Sequence, residues 1–196
     1  EMAQVEFMLQ SMVLEINADR RVLVSGAGKL HELSAGALVL ATGCRERPRG
    51  ALNIAGSRPA GILTAGTAQR LVNIEGYMPG KRYVILGSGD IGMIMARRLT
   101  LAGAQVLAMA EVLPYVSGLR RNLVQCVHDF DIPLHTSTTV TRTIGRERLE
   151  AVELCAVDQH WQPLCETART IACDTLLLSV GLLPEIELAR MAHVGL

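Results

Sequence analysis

The hydrophobic positions change their period along the chain. Between residues 1 and 43 they come in short runs. Met12 to Ile16 alternates apolar and polar apart from Val13, Arg21 to Ser25 forms a second run, and Leu30 to Leu33 a third. Asn17-Ala18-Asp19 and Gly26-Ala27-Gly28 supply turn chemistry between them. Short runs broken by tight turns predict a β-meander. Ala37-Leu38-Val39-Leu40-Ala41 is then continuously apolar and stops at Thr42-Gly43, the pattern of a strand buried on both faces.

Residues 44–80 carry Pro48, Pro59 and Pro79 among six glycines. Only Thr64 to Ile74 has a helical pattern, so this stretch is expected to connect two units. From Lys81 the order becomes strand then helix. Tyr83 to Leu86 reads as a buried strand, and Asp90 to Ala102 as a helix with Ile91, Ile94, Met95, Leu99 and Ala102 on its apolar face. Gln105 to Ala110 predicts the next strand, Leu119 to Phe130 a helix, and Ile132 to His135 a short strand. Antiparallel texture returns at Thr138 to Thr143, Leu149 to Val157 and Thr170 to Cys173. Thr175 to Val180 is again a buried-type strand, closed by Gly181. A helix is expected over Pro184 to Ala192, with proline in its first turn and Glu185 and Glu187 complementing its dipole.

The run of apolar strand then glycine occurs twice, at Ala41-Thr42-Gly43 and at Ser179-Val180-Gly181. Two related units in tandem are therefore expected, the first without its front half. With 49% hydrophobic but only 3% aromatic residues, the core must be aliphatic, which suits a parallel sheet covered by helices. The fold class is α/β.

Composition removes several functions. Nineteen basic residues balance 19 acidic ones, so there is no positive field for nucleic acid or an anionic membrane surface. No apolar run is long enough for a membrane span. Glu1-Met2-Ala3-Gln4 has no basic-then-apolar leader and lacks an initiator Met at position 1, which points to a fragment. The five cysteines, Cys44, Cys126, Cys155, Cys165 and Cys173, include no Cys-x-x-Cys pair. A reducing, cytoplasmic compartment is expected, with most of these thiols acting as small core residues. Cys155, His160, Cys165 and Cys173 fit no zinc spacing, and no metal site is assigned. No nucleophile–base pair is supported, so no catalytic residue is assigned either.

The chemistry concentrates in Gly87-Ser88-Gly89-Asp90-Ile91-Gly92. A G-x-G-x-x-G match alone is weak. Here a buried strand precedes it, a helix opens inside it, and the following strand ends at Glu111, which together form a dinucleotide fingerprint. Gly87 permits the tight turn, Gly89 lets backbone approach a pyrophosphate, and Gly92 lets the helix lie close to the sheet. The helix N-terminus offers unpaired N–H groups to phosphates. Glu111 is expected to accept hydrogen bonds from the adenine-ribose hydroxyls, which favours NAD over NADP. The alternative is a glycine-rich turn that binds nothing. Val24 to Lys29 is not a second such loop, because His31 stands at the third glycine and no helix pattern follows.

Ala37 to Gly43 resembles the ATG motif of the pyridine nucleotide–disulfide oxidoreductase superfamily, Gly87 to Gly92 its NAD(P) fingerprint, and Asp174 to Gly181 with Pro184 its later strand motif. Cys44 to Pro48 and Ala65 to Gln69 resemble the branch of sarcosine oxidase α-type and opine oxidase-type subunits. The resemblance implies a FAD domain interrupted by a Rossmann-like, three-layer NAD(P) domain of meander, parallel sheet and helices. It divides the chain into a partial FAD-domain meander and strand (1–43), a connection (44–80), the NAD(P)-binding domain (81–183) and the start of a return to the FAD domain (184–196). Thr42 and Gly43 are implied to sit by FAD and Gly181 on the nicotinamide side. Implied partners are a nicotinamide nucleotide, the missing parts of the FAD domain and other oxidoreductase subunits. Hydride would pass between nicotinamide and flavin. A non-catalytic scaffold and a nucleotide-sensing subunit remain the alternatives on the same fold. Two departures stand out. Ile94 occupies a position where several members carry Glu, and counting from Gly103-Ala104 puts Ala110, not Glu111, at the usual acidic position.

Overall fold

The computed structural model describes residues 5–195; residues 1–4 and 196 of the two terminal segments lie outside the described residues. In chain order the strands are β1 (Ser11–Ile16), β2 (Arg21–Gly26), β3 (Lys29–Ser34), β4 (Cys44–Glu46), β5 (Ala55–Gly56), β6 (Ile62–Thr64), β7 (Arg82–Leu86), β8 (Gln105–Ala110), β9 (Leu134–His135), β10 (Thr138–Gly145), β11 (Leu149–Ala156), β12 (Arg169–Ala172), β13 (Thr175–Leu178) and β14 (Leu182–Pro184). The α-helices are α1 (Ala65–Asn73), α2 (Asp90–Leu101), α3 (Arg120–Cys126) and α4 (Glu187–Met191). The described residues form two compact units, one of residues 5–45 and 183–195, the other of 46–182.

In the first unit β1, β2 and β3 form the expected antiparallel meander. Asn17 fixes its first turn, the side-chain amide oxygen accepting from Asp19 N at 3.0 Å and Arg21 N at 2.9 Å. Ile16, Val22 and Val24 form a small core with Leu188 and Ala192. The strand expected over Ala37 to Ala41 is absent, and Val39 is 93% exposed. A strand needs a neighbour to take up its backbone N–H and C=O groups, and no described strand pairs with this run. The helix expected from Pro184 is likewise shorter. Pro184 ends β14, and α4 spans five residues.

The second unit has three layers. A parallel sheet of order β6-β13-β7-β8-β9 lies in the middle. One face packs on α1, α2 and α3 through Tyr83, Ile85, Met93, Leu99 and Met109. The other packs on an antiparallel sheet of order β12-β11-β10-β5 through Val84, Leu86, Val152, Leu154 and Leu176. Alternate residues of β7 thus serve opposite faces, as strand geometry requires. Within 44–80, expected as a connection, the residues from Glu46 onward contribute more than that. β6 joins the sheet beside β13, and α1, capped by Thr64 whose hydroxyl accepts from Thr67 N, buries Ala65 and Ala68.

The buried face of α2 differs from the expected one. Gly92, Met93, Met95, Ala96 and Leu99 face inward, whereas Ile91 and Ile94 are 40% and 42% exposed. The small residues Gly92 and Ala96 let the backbone approach closely, so the helix settles on them and turns its isoleucines outward. The second expected helix also ends early: α3 stops at Cys126, a short 3-10 turn follows at His128–Phe130, and Leu119 is exposed.

Candidate nucleotide-binding site

Strand β7 runs into Gly87, and helix α2 begins at Asp90 with Gly89 at its N-cap. The three glycines of this bend have different reasons to be glycine. Gly87 has φ +101°, and a Cβ there would lie 2.1 Å from the carbonyl oxygen of Ser179. A Cβ on Gly92 would meet the Gly87 carbonyl oxygen at 2.8 Å and Ser179 at 3.0 Å. Both are demanded by close approach to the tip of β13. Gly89 has φ −64° and ψ 165°, extended backbone open to any residue, and a Cβ there would meet nothing within 4 Å. Ser, Thr, Asp and Asn stabilise an N-cap better than Gly. Folding therefore gives no reason for a glycine at this position, and space in front of the first turn of a twelve-residue helix is what it provides.

The bend lies at a topological switch point. From β7 the chain proceeds outward to β8 and β9 on one side, while β13 and β6 occupy the other. In open α/β sheets the crevice beyond the carboxyl ends of the strands at such a point is where ligands bind. Ser179 to Gly181 follow β13 at the same sheet end. Gly181 has φ +89°, and its Cβ direction is open except for Arg47 Nε at 3.9 Å; its carbonyl accepts from Arg47 N at 3.2 Å. On the β6 side, Glu46 reaches the N-terminus of α1 and its carboxylate accepts from Gly66 N at 2.7 Å.

Glu111 corrects the expected ribose contact. It is 5% exposed. Its Oε2 accepts from Ser88 N at 2.9 Å, Ser88 Oγ at 2.5 Å and Ser117 Oγ at 3.2 Å, and its Oε1 from Leu113 N at 3.0 Å. The carboxylate holds the glycine bend from within instead of facing outward. The offset in its position has a visible cause. Tyr83 pairs with Val106 but Val84 with Ala108, so Leu107 is an extra residue in β8. This bulge moves Glu111, rather than Ala110, to the level of the bend.

Asp90 is also engaged inward. Its Oδ1 accepts from Leu119 N at 2.8 Å and Asn122 Nδ2 at 2.7 Å. The Leu119 bond, then the Asn122 bond, holds its carboxyl below the usual aspartate range. Ser117 N donates to Ser88 Oγ at 3.0 Å and Gly118 N to Ser88 O at 3.1 Å. Asp90 and Ser88 thus fasten the loop before α3 to the bend. Ser117 and Asn122 carry no sequence signal that singles them out; only the fold brings them to the bend.

Of the remaining expected residues, Ile91 lies on the open flank of α2. Thr42 and Gly43 belong to the other compact unit. There the Thr42 hydroxyl donates to Glu185 O at 2.7 Å, and Gly43, at φ +73°, accepts from Glu185 N at 3.0 Å.

A glycine bend between a buried strand and a helix, open at its middle glycine and set at a switch point, defines an α/β domain of the dinucleotide-binding class. The chain belongs to the pyridine nucleotide-disulphide oxidoreductase family, whose profile it matches over residues 1–196. It is 27% identical over 201 residues to the hydrogen cyanide synthase subunit HcnB of Pseudomonas aeruginosa, covering 95% of this chain and 43% of that protein. It is 30% identical over 161 residues to sarcosine oxidase subunit alpha of Rhizobium meliloti, covering 82% of this chain and 14% of that one. Among solved structures, thioredoxin reductase of T. acidophilum superposes with a TM-score of 0.68 at 18% identity, covering 91% of this chain and 54% of that one. The chain spans less than half the length of these two relatives. No described helix is long and apolar enough to cross a membrane.

Proposed function

We propose that this chain supplies the nicotinamide-nucleotide-binding part of a FAD-dependent oxidoreductase, with the pyrophosphate lying over Ser88, Gly89 and Asp90. The observation that carries the reading is Gly89: an open, side-chain-free N-cap whose glycine the fold itself does not require. A scaffold or a turn that binds nothing leaves that residue unexplained.

Gly87 and Gly92 bring the helix start close to the sheet end, and the first-turn N–H groups of α2 donate to the phosphates. Glu111, accepting from Ser88, holds the bend in place from behind. Gly181, open on its Cβ side, leaves room on the nicotinamide side. When bound, a reduced nicotinamide supplies a hydride and FAD accepts it. Thr42 and Gly43 would meet FAD together with flavin-domain parts outside this sequence, and the exposed Ala37 to Ala41 run would then find its sheet. Partner subunits, as in the sarcosine oxidase and opine oxidase relatives, accord with this role. The buried, unpaired thiols of Cys126, Cys155 and Cys173 accord with a reducing, cytoplasmic setting.

The test has two arms. Calorimetry of the chain with NADH should give a 1:1 complex that Gly89→Ala abolishes, and equal affinity in both proteins contradicts the assignment. In the longer protein, the flavin absorption band should bleach on anaerobic addition of NADH. A colourless protein that binds neither NADH nor NADPH contradicts the oxidoreductase reading.

A further inference from the structure

Beyond the bend, at the carboxyl ends of β8 and β9, lies a cavity of about 520 Å³. Its walls include Val112, Leu113 and Pro114, which follow Glu111, Ser137, which follows β9, and Trp161 from the connection between β11 and β12. The volume is within the range that takes a small organic ligand. Three features show that this wall is built. Trp161 is the only tryptophan in the chain and leaves 61% of its surface exposed. It sits at φ +61° and Ser137 at φ +47°, left-handed conformations that are uncommon outside glycine and rare for a bulky aromatic residue. The hairpin tip that imposes this is fixed at both ends: Asp158 N donates to Gln162 O and Trp161 N to Asp158 O, both at 3.0 Å, while the Asp158 carboxylate accepts from His160 N at 2.8 Å and Gln162 N at 2.9 Å. The opposite wall is tied in by Ser137 N to Leu113 O at 2.9 Å and Val157 N to Ser137 O at 2.8 Å. A strained, firmly held, exposed indole over an apolar floor is a surface for a flat ring.

We infer that this cavity takes the adenine of the dinucleotide, stacked on Trp161, and that Trp161 is a specificity-determining residue for the adenosine half. The inference rests on the nucleotide reading above and deepens it. The switch-point geometry sends one half of the ligand from the bend toward β8 and β9, and this cavity is what that half meets. Leu113 and Pro114 form the apolar floor, while the Gln159 side-chain amide and the Ser137 hydroxyl are the polar groups available to the ring edge.

The single tryptophan makes the test direct. ADP-ribose, which has adenosine and pyrophosphate but no nicotinamide, should quench Trp161 emission saturably, whereas nicotinamide mononucleotide should not. Trp161→Ala should weaken ADP-ribose binding, measured by calorimetry, about tenfold or more, the scale of one base–aromatic stack. Trp161→Phe should restore most of it. If ADP-ribose binds with unchanged emission and equal affinity in wild type and Trp161→Ala, the stacking inference is wrong while the nucleotide reading stands. If ADP-ribose and NADH both fail to bind the wild-type chain, both are wrong.

Discussion

Oε2 of Glu111 receives both hydrogen-bond donors of Ser88, the backbone N–H at 2.9 Å and the hydroxyl at 2.5 Å. A buried carboxylate thereby fixes the second residue of the glycine bend. Hydrogen bonds to a charged group are the stronger kind, and an unpaired buried donor is expensive. Ser88→Ala should lower stability by about 1–3 kcal/mol, and Glu111→Ala by more, because Ser88 N and Leu113 N lose their acceptor together. Urea unfolding measures both. Loss of nucleotide affinity should accompany each, since the bend is no longer held. A Glu111→Ala protein as stable as wild type would remove this role.

The glycines should separate stability from binding. Gly87→Ala forces a Cβ into the Ser179 carbonyl at a positive φ and should cost roughly 3 kcal/mol or more. Gly89→Ala meets no atom and should change stability by less than about 1 kcal/mol, yet it should abolish NADH binding. Thermal unfolding paired with calorimetry distinguishes the two. Equal destabilisation by both substitutions would show that the bend is a purely structural turn.

Among the described residues, no Lys or Arg lines the cavity beyond β8, and Asp158 does. The Glu111 carboxylate lies directly behind it in sequence. A 2′-phosphate would therefore enter a site with no cation to pair it, and an unpaired charge in a partly enclosed site is disfavoured. NADH should bind about tenfold or more tightly than NADPH, and competition calorimetry measures the ratio. Tighter NADPH binding would contradict the reading of this cavity as an adenosine site without a cation for a 2′-phosphate.

Tyr83 gives a pH test of the core. Its hydroxyl accepts from Gly80 N at 3.0 Å, and burial pushes its pKa from 10.0 to about 12, the Gly80 bond partly opposing this. A folded-state pKa raised above the unfolded one means stability is intact below pH 10.0 and declines as pH rises toward 12. The ultraviolet phenolate signal should contain a late step near pH 12 that belongs to Tyr83. Tyr83→Phe should remove the late step and flatten the alkaline loss of stability. A phenolate titration near pH 12 that is the same in wild type and Tyr83→Phe would contradict the buried setting.

The parts of the fold legible in the sequence are those where one local pattern meets one local need. The Tyr83 to Leu86 run, the glycine spacing and the Asp90 start are of this kind, because strand burial and the turn decide them within a few residues. Long-range facts were not legible. Ala37 to Ala41 has the composition of a central strand, but composition does not provide the neighbour a strand must have. Ile91 and Ile94 fit the helical period as well as Met93 and Ala96 do. The choice between faces is made by Ser179, some 85 residues downstream, against which Gly92 packs. The bulge at Leu107 that brings Glu111 level with the bend is invisible without its partner strand. The Trp161 wall depends on a left-handed hairpin tip that no residue preference announces.

The central claim is that a dinucleotide pyrophosphate lies over the bend. Amide resonances of the 15N-labelled chain during titration with NADH test it most directly. The account predicts that the N–H signals of Gly89, Asp90 and Ile91 move furthest and saturate together with binding. NADH that binds while these three signals stay in place would contradict it.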